Sequence, residues 1–183
     1  KKASPLLIGL TCVLAVSLLS FQTSYNTLHS EKIIIYSSSK HLHINFIDNN
    51  KNYIYTTNSD ELSKIASQYW KMNKIESPDT HNSTSYFKNN YASFLGKRIV
   101  IASERLWKNK TLDKALTTDI LIIGNKLKPK ANYLFENIHP KIVVVDKSIS
   151  AWYTESIRKA CAEKSIAFYS IAEKGAFLYE KHQ

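Results

Sequence analysis

The chain is poor in the residues that punctuate or cross-link a backbone. Gly and Pro number four each in 183 residues, which excludes collagen-like and Pro-rich scaffolds. Its two Cys are too few for a disulfide framework and too far apart for a zinc knuckle. Acidic residues are also scarce, with 15 Asp and Glu against 25 Lys and Arg and a formal charge of +10. Such a surface favours anionic neighbours, lipid headgroups or nucleic acid, without choosing between them. No G-x-x-x-x-G-K-[ST], G-x-G-x-x-G or G-x-S-x-G occurs, so the phosphate loop, the dinucleotide fingerprint and the nucleophile elbow are missing. Internal repeats and low-complexity tracts are absent too. Apolar residues, in contrast, reach 44%, enough to bury a core and to exclude pervasive disorder. The length suits one domain, or one domain with an appendage.

The longest apolar run stands at the N-terminal end. Leu6 to Phe21 carries no charge, and the uncharged window extends from Ala3 to Ser30. As a helix, Ala3–Gln22 spans roughly 30 Å, the thickness of a bilayer's hydrocarbon core. A transmembrane helix is the preferred reading of this run, with a secretory signal peptide and a buried soluble helix as the alternatives; Ser20-Phe21-Gln22 is a poor cleavage site. Lys1-Lys2 on one flank, with no Lys before Lys32 on the other, predicts a cytoplasmic N-terminal end. Residues 31–183 then lie outside the cytoplasm. The start at Lys1, with Met72 the only Met, predicts a processed product, an engineered start or a piece of a longer polypeptide. The expected organisation is a transmembrane helix with a polar connector, Thr23–Ser30, over residues 1–30, and one domain over residues 31–183.

Three strand-like runs open that domain: Lys32–Ser37, His41–Ile47 and Asn52–Thr57, with Asp48-Asn49-Asn50-Lys51 as turn chemistry before the third. Ser59 or Asp60 then caps a helix bearing Leu62, Ile65, Ala66, Tyr69, Trp70 and Met72 at helical spacing. Glu76–Asn90 reads as loop. Lys97–Ala102, Asp119–Gly124 and Lys141–Asp146 are apolar on both faces, as strands covered by helices on each side are. A short helix, Ala131–Asn137, precedes Pro140. A longer one, Trp152–Lys164, places Trp152, Ile157, Ala160 and Cys161 on its apolar side. Ile166–Ile171 and Ala176–Tyr179 read as a closing pair of strands. The expected class is α/β (α+β), with a mixed sheet and flanking helices.

Candidate chemistry is thin. His41 and His43, two apart on a strand, point to one face and can chelate zinc, but two solvated imidazoles on a polar face explain the pair more simply. His29, His81, His139 and His182 have no ligand spacing. Cys161 reads as a buried thiol. Asp146 ends a strand, a common site of chemistry in α/β folds, and equally suits a helix start beside Ser148. Lys126, Lys128, Lys130 and Lys141 are placed together around the loop after Gly124, where with Asn125 they form a candidate phosphate-binding edge. A solvated basic face is the simpler reading there as well. The eleven Tyr offer stacking surfaces for single-stranded bases, but most fall at core positions.

The order of segments carries a resemblance. An apolar helix leads into Lys32-Ile-Ile-Ile-Tyr36, Ile44-Asn-Phe-Ile-Asp48 and Tyr53-Ile-Tyr55. Later come His139-Pro-Lys-Ile-Val-Val-Val-Asp146, Trp152-Tyr153, a basic helix with Cys161, Ser165-Ile-Ala-Phe-Tyr169 and Glu173-Lys-Gly-Ala-Phe177. This resembles the C-terminal region of the ComEC competence-protein family in its Bacteroidetes-like form. The resemblance implies an inner-membrane channel that passes single-stranded DNA during natural transformation. It also implies a C-terminal metallo-β-lactamase-like domain, here truncated and degenerate. The H-x-H-x-D-H pattern is missing between Thr57 and Ile99, Ile122-Ile-Gly-Asn125 stands where a His-His-Gly-Ser-like turn belongs, and Ser37-Ser-Ser-Lys-His41 replaces a Gly-Gln-Gly-Asp turn. No catalytic residue, metal ligand or cofactor is therefore carried over. The implied partners are single-stranded DNA, the rest of the channel and the membrane. An anchored or secreted hydrolase and an envelope-binding module are the alternatives.

Overall fold

A computed structural model of the chain describes residues 3–28, 30–36, 41–49, 51–56, 58–76, 87–88, 90–102, 115–124 and 131–180. Helix α1 (Ala3–Leu28) runs past the expected connector, because Gln22 to Leu28 holds neither Gly nor Pro to stop it. Its side chains are described from Leu7 to Gln22 and at Tyr25, and every large apolar one is more than half exposed. Among the described residues no helix is long and apolar enough to cross a membrane.

Among the described residues the strands form two sheets. The first has the order β10-β1-β2-β3 and is antiparallel throughout, built from β1 (Glu31–Tyr36), β2 (His43–Asp48), β3 (Lys51–Thr56) and β10 (Phe177–Glu180). The second has the order β4-β5-β6-β7-β8-β9, built from β4 (Phe87–Lys88), β5 (Tyr91–Phe94), β6 (Lys97–Ile101), β7 (Leu116–Ile123), β8 (Ile138–Val145) and β9 (Ala167–Ser170). Strands β6 to β9 run parallel and β4 to β6 antiparallel. Among the described residues the helices after α1 are α2 (Ser59–Met72), α3 (Ala131–Asn137), α4 (Ala151–Glu163) and the single turn α5 (Ile171–Lys174).

Alternation along each strand stacks these elements in four layers. Ile33, Ile35, Ile44 and Phe46 of the first sheet meet Phe94, Ile99, Ile101, Ile120, Ile122 and Val144 of the second. The other face of the second sheet, Val100, Leu121, Ile123, Val143 and Val145, packs under α3 and α4. The other face of the first, Ile34, Tyr36, Ile47 and Ile54, packs under Leu62, Ala66 and Trp70 of α2. The expected single mixed sheet is thus two sheets, and residues 31–180 suffice for all four layers.

Several helix details differ from expectation. The cap of α2 is Asn58, whose side chain accepts from the Glu61 N–H. Ile65 and Met72 are exposed, leaving the 62–66–70 stripe as the buried seam. Trp152 is 80% exposed, and Tyr153 takes its place, because 153, 157, 160 and 161 share one helix face and 152 does not. The closing strands do not pair with each other. The α5 turn and Gly175, at φ 82°, divert the chain, so that β9 joins β8 while β10 crosses to β1.

Candidate functional site

Parallel strands collect polar groups at their ends, because the backbone turns there and side chains project beyond the covering helices. At the C-terminal ends of β6, β7, β8 and β9 stand Ala102, Gly124, Asp146 and Ser170, all buried. Asp146 continues the ladder, its N–H donating to the Ile123 carbonyl at 2.9 Å. Its Oδ1 accepts from the Ser148 N–H at 2.7 Å and the Ser148 hydroxyl at 2.5 Å. The carboxylate lies over Gly124, where a Cβ would sit 2.4 Å from Oδ2. The helix-start reading of Asp146 agrees with these bonds, although the α4 cap position itself is Ser150.

Lower on the same sheet a row of charge crosses three strands. The pairing of Ile99 with Ile120 and of Ile120 with Ile142 puts Arg98, Asp119 and Lys141 side by side. Asp119 accepts from the Arg98 N–H at 2.9 Å and from Lys141 Nζ at 2.8 Å, with Arg98 Nε 3.7 Å away. The Arg98 N–H bond first, and then Lys141, pull the Asp119 carboxyl from 3.8 down to about 2. A folded-state pKa below the unfolded one adds stability that is complete above about pH 4 and is lost as pH falls towards 2. Arg98 and Lys141 are both largely exposed, and solvent screening reduces the contribution to about 1 kcal/mol. The Asp119→Asn variant keeps the acceptor for Arg98 N–H and loses the charge. Urea unfolding at pH 7 should find it up to about 1 kcal/mol less stable than the parent, with the two converging near pH 2.

Lys141 therefore sits four residues before Val145, about 13 Å along the strand from the Gly124 end. Lys126, Lys128 and Lys130 lie outside the described residues, as do His29, His81 and His182. Beside Lys141 opens a cleft of about 680 Å³ that His139, Lys164 and Ser165 line together with Phe135, Pro140 and Ile166. His139 is exposed at its rim. Cys161 is buried, and burial pushes its thiol up to about 12, so it is not a nucleophile at neutral pH. Cys12 is exposed on α1.

The His41–His43 pair departs from its expected setting. Its face of β2 is the one that α2 covers, so His43 is fully buried and only His41 is partly open. Both Nε2 atoms converge on Glu61 Oε2, at 3.8 Å for His41 and 3.9 Å for His43. Burial lowers the His43 pKa, and so does His41, against the opposing pull of Glu61. Asn45 and Asn52 continue the buried polar row and are hydrogen-bonded to each other. Among the described residues no three His, Cys, Asp or Glu side chains are grouped so that they could hold a metal ion.

Sequence reasoning missed two of these arrangements. The charge row had a signal, since Arg98, Asp119 and Lys141 each precede an apolar triplet and aligning the triplets aligns the charges. The His43–Glu61 contact had none, because it depends on where α2 lies. No curated protein and no solved structure is measurably similar to the chain. One family model does match, that of the ComEC C-terminal domain, over residues 33–181. That stretch runs from β1 through β10 and so takes in both sheets and every layer described above. The chain belongs to the ComEC C-terminal domain family, a family of competence proteins of DNA uptake.

Proposed function

We propose that this chain is the C-terminal part of an inner-membrane competence protein, and that its domain works on single-stranded DNA without hydrolysing it. The family match over residues 33–181 carries this reading. Three further features support it. The formal charge of +10 suits a polyanion. The strand ends offer one carboxylate and no imidazole among the described residues, with Asp146 already bonded to Ser148; a two-metal hydrolytic site needs several of both. Helix α1, 26 residues and roughly 39 Å long, exposes Leu7, Leu10, Val13, Leu14 and Phe21 as a lipid-facing helix does. In this reading α1 is the membrane helix, and residues 31–183 stand on the extracytoplasmic side and guide or gate the strand.

DNA contact is assigned to Lys126, Lys128 and Lys130, and not to Lys141, whose charge Asp119 offsets at 2.8 Å. Three phosphate contacts on a single strand give log K a slope of about −2 against log salt. Fluorescence anisotropy of a labelled oligodeoxynucleotide with the full chain in detergent micelles measures that slope. Reversing the three lysines to Glu should flatten it by about 2 and weaken binding at least about tenfold. Binding that the triple reversal leaves unchanged sinks the assignment. Release of nucleotides from the oligomer sinks the non-hydrolytic reading.

A further inference from the structure

The start of β1, where α1 enters the domain, shares one end of the layered stack with the starts of the parallel strands. Strand β9 ends at Ser170, the single turn α5 follows, and β10 begins at Phe177 with its ring 5.1 Å from that of Tyr169. Strand β10 therefore runs back down the stack, and β1 lies antiparallel to it, with Ile33 opposite Tyr179. A contact between the sheets fixes the match: Lys97 Nζ, at the start of β6, lies 5.1 Å from the ring centroid of Tyr179. Strands β6 to β9 are parallel, so the starts of β8 and β9 belong to the same end. Leu28 closes α1 three residues before Glu31 opens β1, a reach of at most about 10 Å. The cleft between the start of β8 and the turn from α4 into β9 opens at this end too. Its floor is apolar, with Phe135, Pro140 and Ile166, and its rim holds His139, Lys164 and Ser165 beside Lys141.

We infer, on the reading of α1 as the membrane helix, that this cleft binds the headgroup phosphate of an anionic phospholipid and so seats the domain against the bilayer. That reading puts this end of the stack beside the lipid. Charge then narrows the site to the cleft. Lys32 at the same end is matched by Glu180 at 3.1 Å, and Lys141 on the rim by Asp119 at 2.8 Å. Lys164 and His139 are exposed, and among the described residues no carboxylate lines the cleft. One ammonium suits the single negative charge of a phosphodiester headgroup. The His139 ring carries an N–H in either neutral tautomer, and the Ser165 hydroxyl is a second donor for phosphate oxygens. Behind the phosphate, the apolar floor receives the glycerol carbons and the first methylenes of the lipid. A nucleic-acid strand instead presents one phosphate per nucleotide and favours a row of unmatched cations, where this rim offers one lysine and a histidine. A lipid held there ties the second sheet to the bilayer as α1 ties the first.

The test uses the full chain in neutral detergent micelles and follows the His139 ring signal in ¹H–¹³C NMR spectra, assigned by its loss in His139→Gln. Short-chain phosphatidylglycerol added to the micelles should shift that signal to saturation. Phosphatidylcholine of the same chain length, and inorganic phosphate, should each need at least about tenfold more. Lys164→Glu, at an exposed position, should weaken the phosphatidylglycerol response about tenfold or more. Reversal of Lys126, Lys128 and Lys130 to Glu should leave it unchanged. No shift with phosphatidylglycerol, or a shift that survives Lys164→Glu, overturns the site. Inorganic phosphate that saturates as readily as the lipid makes it a site for a free anion and overturns the lipid assignment. So does an oligodeoxynucleotide that shifts the His139 signal and whose binding loses salt dependence in Lys164→Glu, because the cleft then belongs to DNA. Co-migration with phosphatidylcholine nanodiscs checks the membrane helix separately. A chain left outside the discs overturns both the helix and the lipid site, whereas one that co-migrates without a phosphatidylglycerol response overturns the site alone.

Discussion

Phe46→Ala should cost about 3–5 kcal/mol, a large part of a single domain's stability. Phe46 is 2% exposed and belongs to β2 of the first sheet, yet its ring meets Phe94 of the second edge-on, with centroids 5.3 Å apart and planes at 61°. Removing it leaves a cavity where two sheets interdigitate, and neither sheet can collapse into it without breaking a ladder. Losing the aromatic pair adds about 0.5–1.5 kcal/mol, part of which that range already contains. Urea unfolding followed by circular dichroism measures the loss, with the slope unchanged if the folded state stays compact. Trp152→Ala is the matching control. That side chain is larger but 80% exposed, and its removal should cost within about 0.5 kcal/mol. If the two variants lose similar stability, the two sheets do not share the core described for them.

The same two residues show how far the sequence could be read. Alternation in Leu42–Phe46 points Ile44 and Phe46 to one face, and they are indeed buried together. The apolar runs after Asp119 and Lys141 are the central parallel strands β7 and β8. Such patterns are local, and local patterns are what a chain shows on its surface. What they leave open is which partner covers a face. His41 and His43 occupy a polar face by alternation, and only the position of α2 makes that face a buried one. Trp152 is apolar by type, and only the phase of 153, 157, 160 and 161 turns it outward. The pairing of β10 with β1 joins Phe177 to Ile35 across the whole domain, a contact whose register no short-range turn sets. The resemblance drawn from segment order reached the family, but it carried no site residue, because the motif positions it depends on are occupied by other residue types.

Gly124→Ala should cost about 2–3 kcal/mol, more than a single methyl usually does at a strand end. The added Cβ would lie 2.4 Å from Asp146 Oδ2 and 2.9 Å from its Cγ. A flexible surface carboxylate would swing aside. This one is 2% exposed and is held through Oδ1 by both the N–H and the hydroxyl of Ser148, so yielding means breaking two hydrogen bonds or shifting β8 against β7. A double-mutant cycle isolates the contact. In an Asp146→Ala background the obstacle is gone, and Gly124 has no positive φ to protect. There Gly124→Ala should be neutral or should stabilise by about 0.4–1 kcal/mol, through lost freedom of the unfolded chain. The coupling of about 2 kcal/mol or more is read from urea midpoints of the four proteins. The outcome also bears on what the strand ends do. A carboxylate wedged against Gly124 and bonded to Ser148 fills the crevice where α/β folds usually receive a ligand. If Gly124→Ala is tolerated without coupling, the carboxylate is mobile, that end of the sheet is open, and the non-hydrolytic reading loses one of its supports.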